Sequence, residues 1–224
     1  MNDSKTTIEF DPSKLPSSKT YSILISLVVP RPIAFVTSIN KDGVVNAAPF
    51  SFFNLMGNDP PIVALGVGKD ESRKNGLKDT GYNIQQTREF VINIVNEEIV
   101  KQVNITSIDF PPEIDEVEIA GLTKMPSVKI KPPLIAESAA NLECRHVNTV
   151  EIGNTRVILG EIIYIHVKNE FVDSQGGDSS ILTELMRPVG RTHSRDFYAR
   201  TTDLFKVPRI SYKEWNSKQN NTAL

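Results

Sequence analysis

Apolar and polar positions alternate with a period of two just after Arg31. Ile33, Phe35, Thr37 and Ile39 interleave with Ala34, Val36 and Ser38. Both sets are apolar or small, so the pattern predicts a strand covered on both faces. Asn40-Lys41-Asp42-Gly43 follows with turn chemistry: Asn and Asp bond their own backbone and Gly accepts positive φ. Val44 to Ala48 predicts a returning strand of small residues, and Pro49-Phe50-Ser51-Phe52-Phe53-Asn54 then sets three aromatics around one hydroxyl. Further strands are predicted at residues 62–67, behind the Asn58-Asp59-Pro60-Pro61 turn, and at 90–95. Residues 135–150 and 157–167 predict a long pair joined at Gly153-Asn154. Helical spacing is confined to short segments. Asp79 or Thr80 is expected to cap a helix through Arg88. Ile99, Val100 and Val103 share one side of residues 97–104, and residues 181–186 make one more turn. Residues 21–29 read as either a strand or a short helix. The fold class is mainly β, an antiparallel barrel with a few helices.

With 224 residues the chain can build one domain with a substantial core plus an appendage. A formal charge of −2 with scattered Lys and Arg gives no electrostatic basis for nucleic-acid binding. The first residues are polar and acidic, unlike a signal peptide, and the apolar run at 23–29 is too short to span a bilayer; no membrane partner is expected and the localisation expected is cytoplasmic. The single cysteine, Cys144, precludes an internal disulfide and a Cys-based metal site and is expected to be an inert core thiol. No paired His or Cys has ligand spacing, so no metal is expected. The acidic run at 113–118 reads as a solvated face.

Two features carry candidate chemistry. Arg31 lies between Pro30 and Pro32, which fix its backbone as extended and aim the side chain. Lys78-Asp79-Thr80 opens a predicted helix, where free N–H groups and the helix dipole favour an anion. An ordinary helix start with a surface lysine fits the same spacing. No glycine-rich dinucleotide fingerprint follows a strand.

The segments PRPIAFVTS, VNAAPFSFFN, DPPIVALGVG and KDTGYNI, in that order, resemble the flavin reductase-like family of FMN-binding split barrels. That family includes flavoredoxins and the reductase components of two-component monooxygenases, such as that of nitrilotriacetate monooxygenase. The likeness continues through TSIDFPPEIDEVEIAGLT, PPLIAESAANLECR and GEIIYIHV. It implies an antiparallel split barrel over residues 21–173, an N-terminal arm at 1–20, and a C-terminal extension at 174–224 that packs on the barrel or on a partner subunit. It further implies a homodimer with FMN at the subunit interface. The implied reaction is NAD(P)H-dependent flavin reduction, with NADH or NADPH as donor and a separate monooxygenase component as recipient of reduced FMN. The alternatives are a flavoredoxin-type electron carrier with tightly bound FMN and no direct NAD(P)H activity, or a module that binds flavin without turnover.

The resemblance places the phosphate at Lys78, Asp79 and Thr80, with Asn83 as a further contact. It places the ring and ribityl chain along Arg31, Thr37, Ser38, Asn46, Ala47, Pro49, Phe50, Ser51, Phe52 and Phe53. Thr37 and Ser38 face opposite sides of a strand, so only one of the two side chains can meet a given ligand face. At least one of the Phe residues is expected to be core. His166 matches a histidine of the family pattern, and Arg191 and Tyr198 match a segment that closes over the flavin or donor; the extra His193 departs from it. Gly81-Tyr82 departs too, because a longer apolar residue and a basic one are expected there. Arg73 or Lys74 would then replace the missing base. No catalytic acid, base or nucleophile is required, since hydride transfer is the cofactor's chemistry.

Overall fold

The computed structural model describes residues 6–73, 75–173, 180–194 and 196–222. After a short 3-10 turn at Pro12–Lys14 the chain runs through α1 (Ser17–Leu27), β1 (Arg31–Pro32), β2 (Ala34–Ile39), β3 (Val45–Phe50), β4 (Phe53–Asn58) and β5 (Pro61–Gly68). There follow α2 (Asp79–Thr87), β6 (Glu89–Ile94), α3 (Val100–Ile105), α4 (Glu116–Ile119), β7 (Lys124–Met125) and β8 (Leu134–Ile135). The long pair β9 (Ala140–Ile152) and β10 (Thr155–Val167) comes next, then β11 (Val172–Asp173), β12 (Ser180–Ile181), α5 (Thr183–Met186), β13 (Val189–Arg191), β14 (Tyr198–Arg200) and α6 (Tyr212–Thr222). Residues 21–29, open between strand and helix in the sequence, fall mostly in α1. That helix begins inside the expected arm.

Seven strands form one antiparallel sheet in the order β3-β2-β6-β9-β10-β5-β4. The two outermost strands, β3 and β4, are separated in sequence by only Ser51 and Phe52. Edges joined by two residues must lie together, so the sheet is curled into a barrel. Gly66 N–H donates to Phe52 O at 2.7 Å and pins that junction to β5. The curl is helped by two β-bulges in the β9–β10 pair, one at Val147 of β9 opposite Leu159 and Gly160, the other at Ile163 of β10. Gly160 also lets Phe90 pass across the strand, because a Cβ there would lie 2.4 Å from Phe90 Cζ.

Strand β2 has cover on both faces, as its pattern predicts. Ala34 and Val36 join Val63, Leu65, Phe90 and Ile92 in one cluster, which also takes Ile84 of α2 and the thiol of Cys144. Burial pushes the pKa of that thiol up, which keeps it protonated. Phe35 belongs to the other cluster, with Val103 of α3 and Val117 of α4. The free edge of β3 is closed by Pro49, which has no N–H, and by Glu116 of α4, whose Oε2 accepts the Ala47 N–H at 2.9 Å. The C-terminal segment packs on the barrel through β13, where Arg191 and Gly190 pair with Arg31 and Pro32 of β1. Beyond Thr201, residues 202–217 are exposed. Among the described residues no helix is long and apolar enough to cross a membrane.

Candidate active site

Two cavities, of about 160 and about 620 Å³, share Pro49, Phe50, Lys78, Ser107 and Asp109 and so form one bent cleft. Its narrow arm lies over the N-terminus of α2, between Asn46, Arg73, Asp79, Thr80 and Glu116. Its wide arm is walled by Tyr21 and Ile25 of α1, by Arg31, Ser51, Phe52 and Gly66, and by Arg191 and Asp196 of the C-terminal segment. Asn104 and Ser107, from α3 and the loop after it, complete that wall.

The narrow arm is built on a helix start without a cap. Lys78 precedes the first residue of α2 and makes no side-chain capping bond, so the first N–H groups of the helix have no partner inside it. Asp79 and Thr80, expected as caps, instead stand within the first turn. Thr80 Oγ1 accepts from Asn46 Nδ2 at 2.8 Å, which leaves its own hydrogen to donate. Ser38 Oγ takes Asn46 Nδ2 at 3.4 Å and Asn83 Nδ2 at 3.2 Å. This buried network locks α2 to the β2–β3 hairpin. Arg73 pairs with Asp79 at 3.1 Å and donates to Phe110 O at 2.7 Å, which orders the loop before the helix.

The wide arm has a fixed roof. Arg31 is buried, and its guanidinium donates to Ile25 O at 2.6 Å and Val28 O at 2.8 Å at the end of α1, and to Thr192 O at 2.9 Å. One side chain therefore ties α1 and the β13–β14 loop together above the cleft, and only its Nε, 3.4 Å from Ser51 Oγ, bonds to a cleft side chain. Arg191 lies 4.6 Å over the Tyr198 ring, with its side chain in the wall.

Of the predicted residues, Arg31, Asn46, Pro49, Phe50, Ser51, Phe52, Lys78, Asp79, Thr80 and Arg191 line the cleft. Ser38 and Asn83 do not line it; they hold Asn46 and Thr80 in place. The Thr37 hydroxyl faces the other side of the sheet, where it donates to Pro133 O at 2.5 Å, as the alternation requires. Phe53 packs into the barrel core, and Ala47 into the cluster on the other face of β2. Tyr198 also packs on that cluster, behind Arg191. His166 is outside the cleft wall: its Nε2 lies 2.7 Å from Glu143 Oε1. Burial acts to raise the Glu143 pKa, but the Val128 and Lys129 N–H groups and His166 outweigh it and hold the carboxylate below its ordinary range. Lys74 lies outside the described residues.

The acidic run at 113–118 needs correction. Glu118 is exposed, but Glu116 is 7% exposed and lines the narrow arm. Burial pushes its carboxyl up to about 7, against the opposing pull of the Ala47 N–H and with a further push from Asp79 and Asp115. The signal available in the sequence was Asp115, which caps α4 by accepting from the Val117 and Glu118 N–H groups and so starts a helix at Glu116. The glycine at position 81, a departure from the family pattern, has a structural account. A Cβ on Gly81 would lie 3.2 Å from the guanidinium of Arg156, which is buried beneath α2 and donates to Gly81 O at 3.4 Å.

Residues 26–181 match the model of the flavin reductase like domain. The chain belongs to this family. An uncharacterised protein of Halalkalibacterium halodurans is 39% identical to it over 209 residues, covering 90% of this chain and 96% of that protein. Among solved structures, nitrilotriacetate monooxygenase component B from Bacillus cereus superposes with a TM-score of 0.84 at 28% identity, over 91% of this chain and 100% of that one. The 2-nitrobenzoate 2-nitroreductase of Pseudomonas fluorescens gives 0.81 at 32% identity, over 92% and 98%. The split-barrel fold and the family expected from the motifs are thus both found.

The residues present fit a flavin mononucleotide. The uncapped α2 N-terminus, Lys78 and the free Thr80 hydrogen suit a phosphate, and the wide arm offers Pro49, Phe50 and Phe52 to a flat ring. Asp70, Asp79, Asp109 and Glu116 are the four carboxylates in the narrow arm that an anion must reckon with.

Proposed function

We propose that the protein binds FMN in the bent cleft and reduces it with NADH or NADPH, passing reduced FMN to a separate monooxygenase component. The observation that carries this reading is the continuity of the cleft, which joins an uncapped helix N-terminus to a chamber of about 620 Å³. When bound, the flavin supplies the hydride-accepting chemistry. The chain's own part is to anchor the anionic end at Lys78 and Thr80, to seat the ring between β3–β4 and the α1 roof, and to leave a face open for a nicotinamide. Proximity and orientation carry such a transfer, so no side chain need act as acid, base or nucleophile. In this reading the protein works as a homodimer. That arrangement also gives His166 and Tyr198 a place: they face away from this subunit's cleft and would serve only across a subunit interface.

A second reading draws on the nitroreductase neighbour. In this second reading the flavin stays in place in this chain and a small organic acceptor, rather than free FMN, takes the electrons. The test is an absorbance spectrum of the purified protein, followed by anaerobic NADH and then NADPH with FMN added. Rapid bleaching by one nucleotide with turnover of added FMN supports the reductase. Bleaching without turnover of free FMN moves the assignment to the second reading, and a yellow protein that neither nucleotide bleaches is an electron carrier. Lys78→Ala and Thr80→Ala are each expected to weaken FMN binding roughly tenfold, about 1.4 kcal/mol. Unchanged FMN affinity in both removes the phosphate assignment.

A further inference from the structure

Glu116 is a carboxylate in an unusual position. It is 7% exposed, it lines the cavity over the α2 N-terminus, and no Lys or Arg pairs with it among the described residues. Its Oε2 is occupied by the Ala47 N–H at 2.9 Å, its own backbone N–H also favours the carboxylate, and no other residue donates to Oε1 among the described residues. The charged groups around it are Asp79 on α2, Asp115 at the start of its own helix, Asp70, Arg73 and Lys78 between β5 and α2, and Asp109 before α4. The cations among them are mostly committed elsewhere. Arg73 lies 3.1 Å from Asp79 and 3.8 Å from Asp70, and Lys124 serves Asp115 and Glu118, each at 2.7 Å. A phosphate arriving beside ionised Asp70, Asp79, Asp109 and Glu116, with only Arg73 and Lys78 to offset them, would meet net repulsion. A buried carboxyl beside like charges relieves this by keeping its proton, and a neutral carboxyl is a hydrogen-bond donor.

We propose that Glu116 is a binding residue for the anionic end of the flavin, a neutral carboxyl group that donates a hydrogen bond into the cavity while its other oxygen keeps the Ala47 N–H. This rests on the FMN reading above. It makes phosphate binding a proton-linked event: the site takes up a proton from solvent as the anion seats. A Glu116 that stayed ionised and only closed the edge of β3 would bring no proton uptake.

The test measures FMN and riboflavin affinity by fluorescence quenching between about pH 7 and about pH 8.5, for the wild type and Glu116→Gln. Free FMN phosphate is already a dianion over this range, so its own titration does not intrude. Wild-type Kd for FMN is expected to rise by up to about tenfold per pH unit, as one linked proton requires. Riboflavin, which lacks the phosphate, is expected to show little slope, and Glu116→Gln to bind FMN with a flat profile. Calorimetry of the wild type at about pH 7.5, in two buffers of different ionisation enthalpy, is expected to show net uptake approaching one proton per FMN. That reading stands even if the variant fails to fold. A pH-independent wild-type affinity, no proton uptake, equal slopes in wild type and variant, or equal slopes for FMN and riboflavin overturns the proposal and leaves the FMN reading intact. Failure of FMN to bind at any pH removes that reading, and this inference with it.

Discussion

A methyl group at position 160 has no room. A Cβ there would stand 2.4 Å from Phe90 Cζ and 2.9 Å from Cε1, and Phe90 is fully buried in the barrel. Gly160→Ala is therefore expected to cost about 1–3 kcal/mol, read as a lower denaturant midpoint at unchanged m. Pairing it with Phe90→Leu should recover part of the loss; an unchanged midpoint in the single variant would show that the strand yields more easily than this packing implies. Glu116 gives a pH signature without any ligand. Its carboxyl is raised from 4.5 to about 7, so between those values the folded chain holds a proton that the unfolded chain has lost. Stability contributed by this site is thus full below the lower value and is lost as pH rises through the upper one, by about 3 kcal/mol. Asp79, also raised by burial, adds in the same direction. Glu116→Gln keeps an acceptor for the Ala47 N–H and is expected to flatten that slope and to be the more stable protein at about pH 8 in thermal melts. A variant with the wild-type slope would place the linkage elsewhere. The sequence could not separate Glu116 from Glu118. Both carry the same charge in one acidic run, and only the turn of α4 against β3 sends one into the cleft and the other to solvent.

At the scale of elements, Arg31 joins what the chain keeps far apart. Arg31→Lys retains the charge, but an ammonium cannot reach Ile25 O, Val28 O and Thr192 O together as the planar guanidinium does. The variant is expected to keep the barrel and loosen its roof. The amides of α1 and of residues 190–194 should exchange faster, with a local loss of roughly 1–3 kcal/mol for each carbonyl left unpaired, while those of β6 and β9 stay protected. Uniform acceleration in both regions would mean that Arg31 supports the whole fold instead. The two prolines showed that this side chain is aimed but not where. Its partners come from a helix before it and a loop 161 residues after it. Period-two alternation made β2 and β3 legible because both faces of β2 are covered at short range by neighbouring strands. The cap of α2 was misplaced by one or two residues, since Lys78, with no capping side chain, occupies the position that spacing gave to Asp79 or Thr80. Residues 21–29 were ambiguous for a related reason: α1 has only Ile25 buried, so its apolar residues trace no helical stripe.

For the molecule as a whole, the barrel closes without its tail. Leu204, Phe205, Val207 and Ile210 are 63%, 89%, 75% and 53% exposed, on a stretch that buries nothing against its own chain. Leu24, Leu27 and Val28 near α1, and Leu55 and Met56 on β4, add further uncovered apolar surface. Apolar surface on this scale is uncommon on an isolated monomer and marks a place where another chain binds. In the proposed homodimer that chain would be a second copy, meeting α1 and the C-terminal segment, which also wall the cleft. The full chain is expected to sediment as a dimer. Removing residues 202–224 should weaken the dimer by at least tenfold in Kd, about 1.4 kcal/mol, and leave the denaturant midpoint of the dissociated barrel nearly unchanged. A truncated chain that dimerises as tightly as the full one would assign the interface to α1 and β4 alone. A full-length chain that stays monomeric would leave the tail to a different protein. The four motifs of the barrel could be read in the sequence because each encodes contacts within one chain. The tail could not, because a segment whose apolar residues lie exposed on its own chain carries no burial periodicity to read.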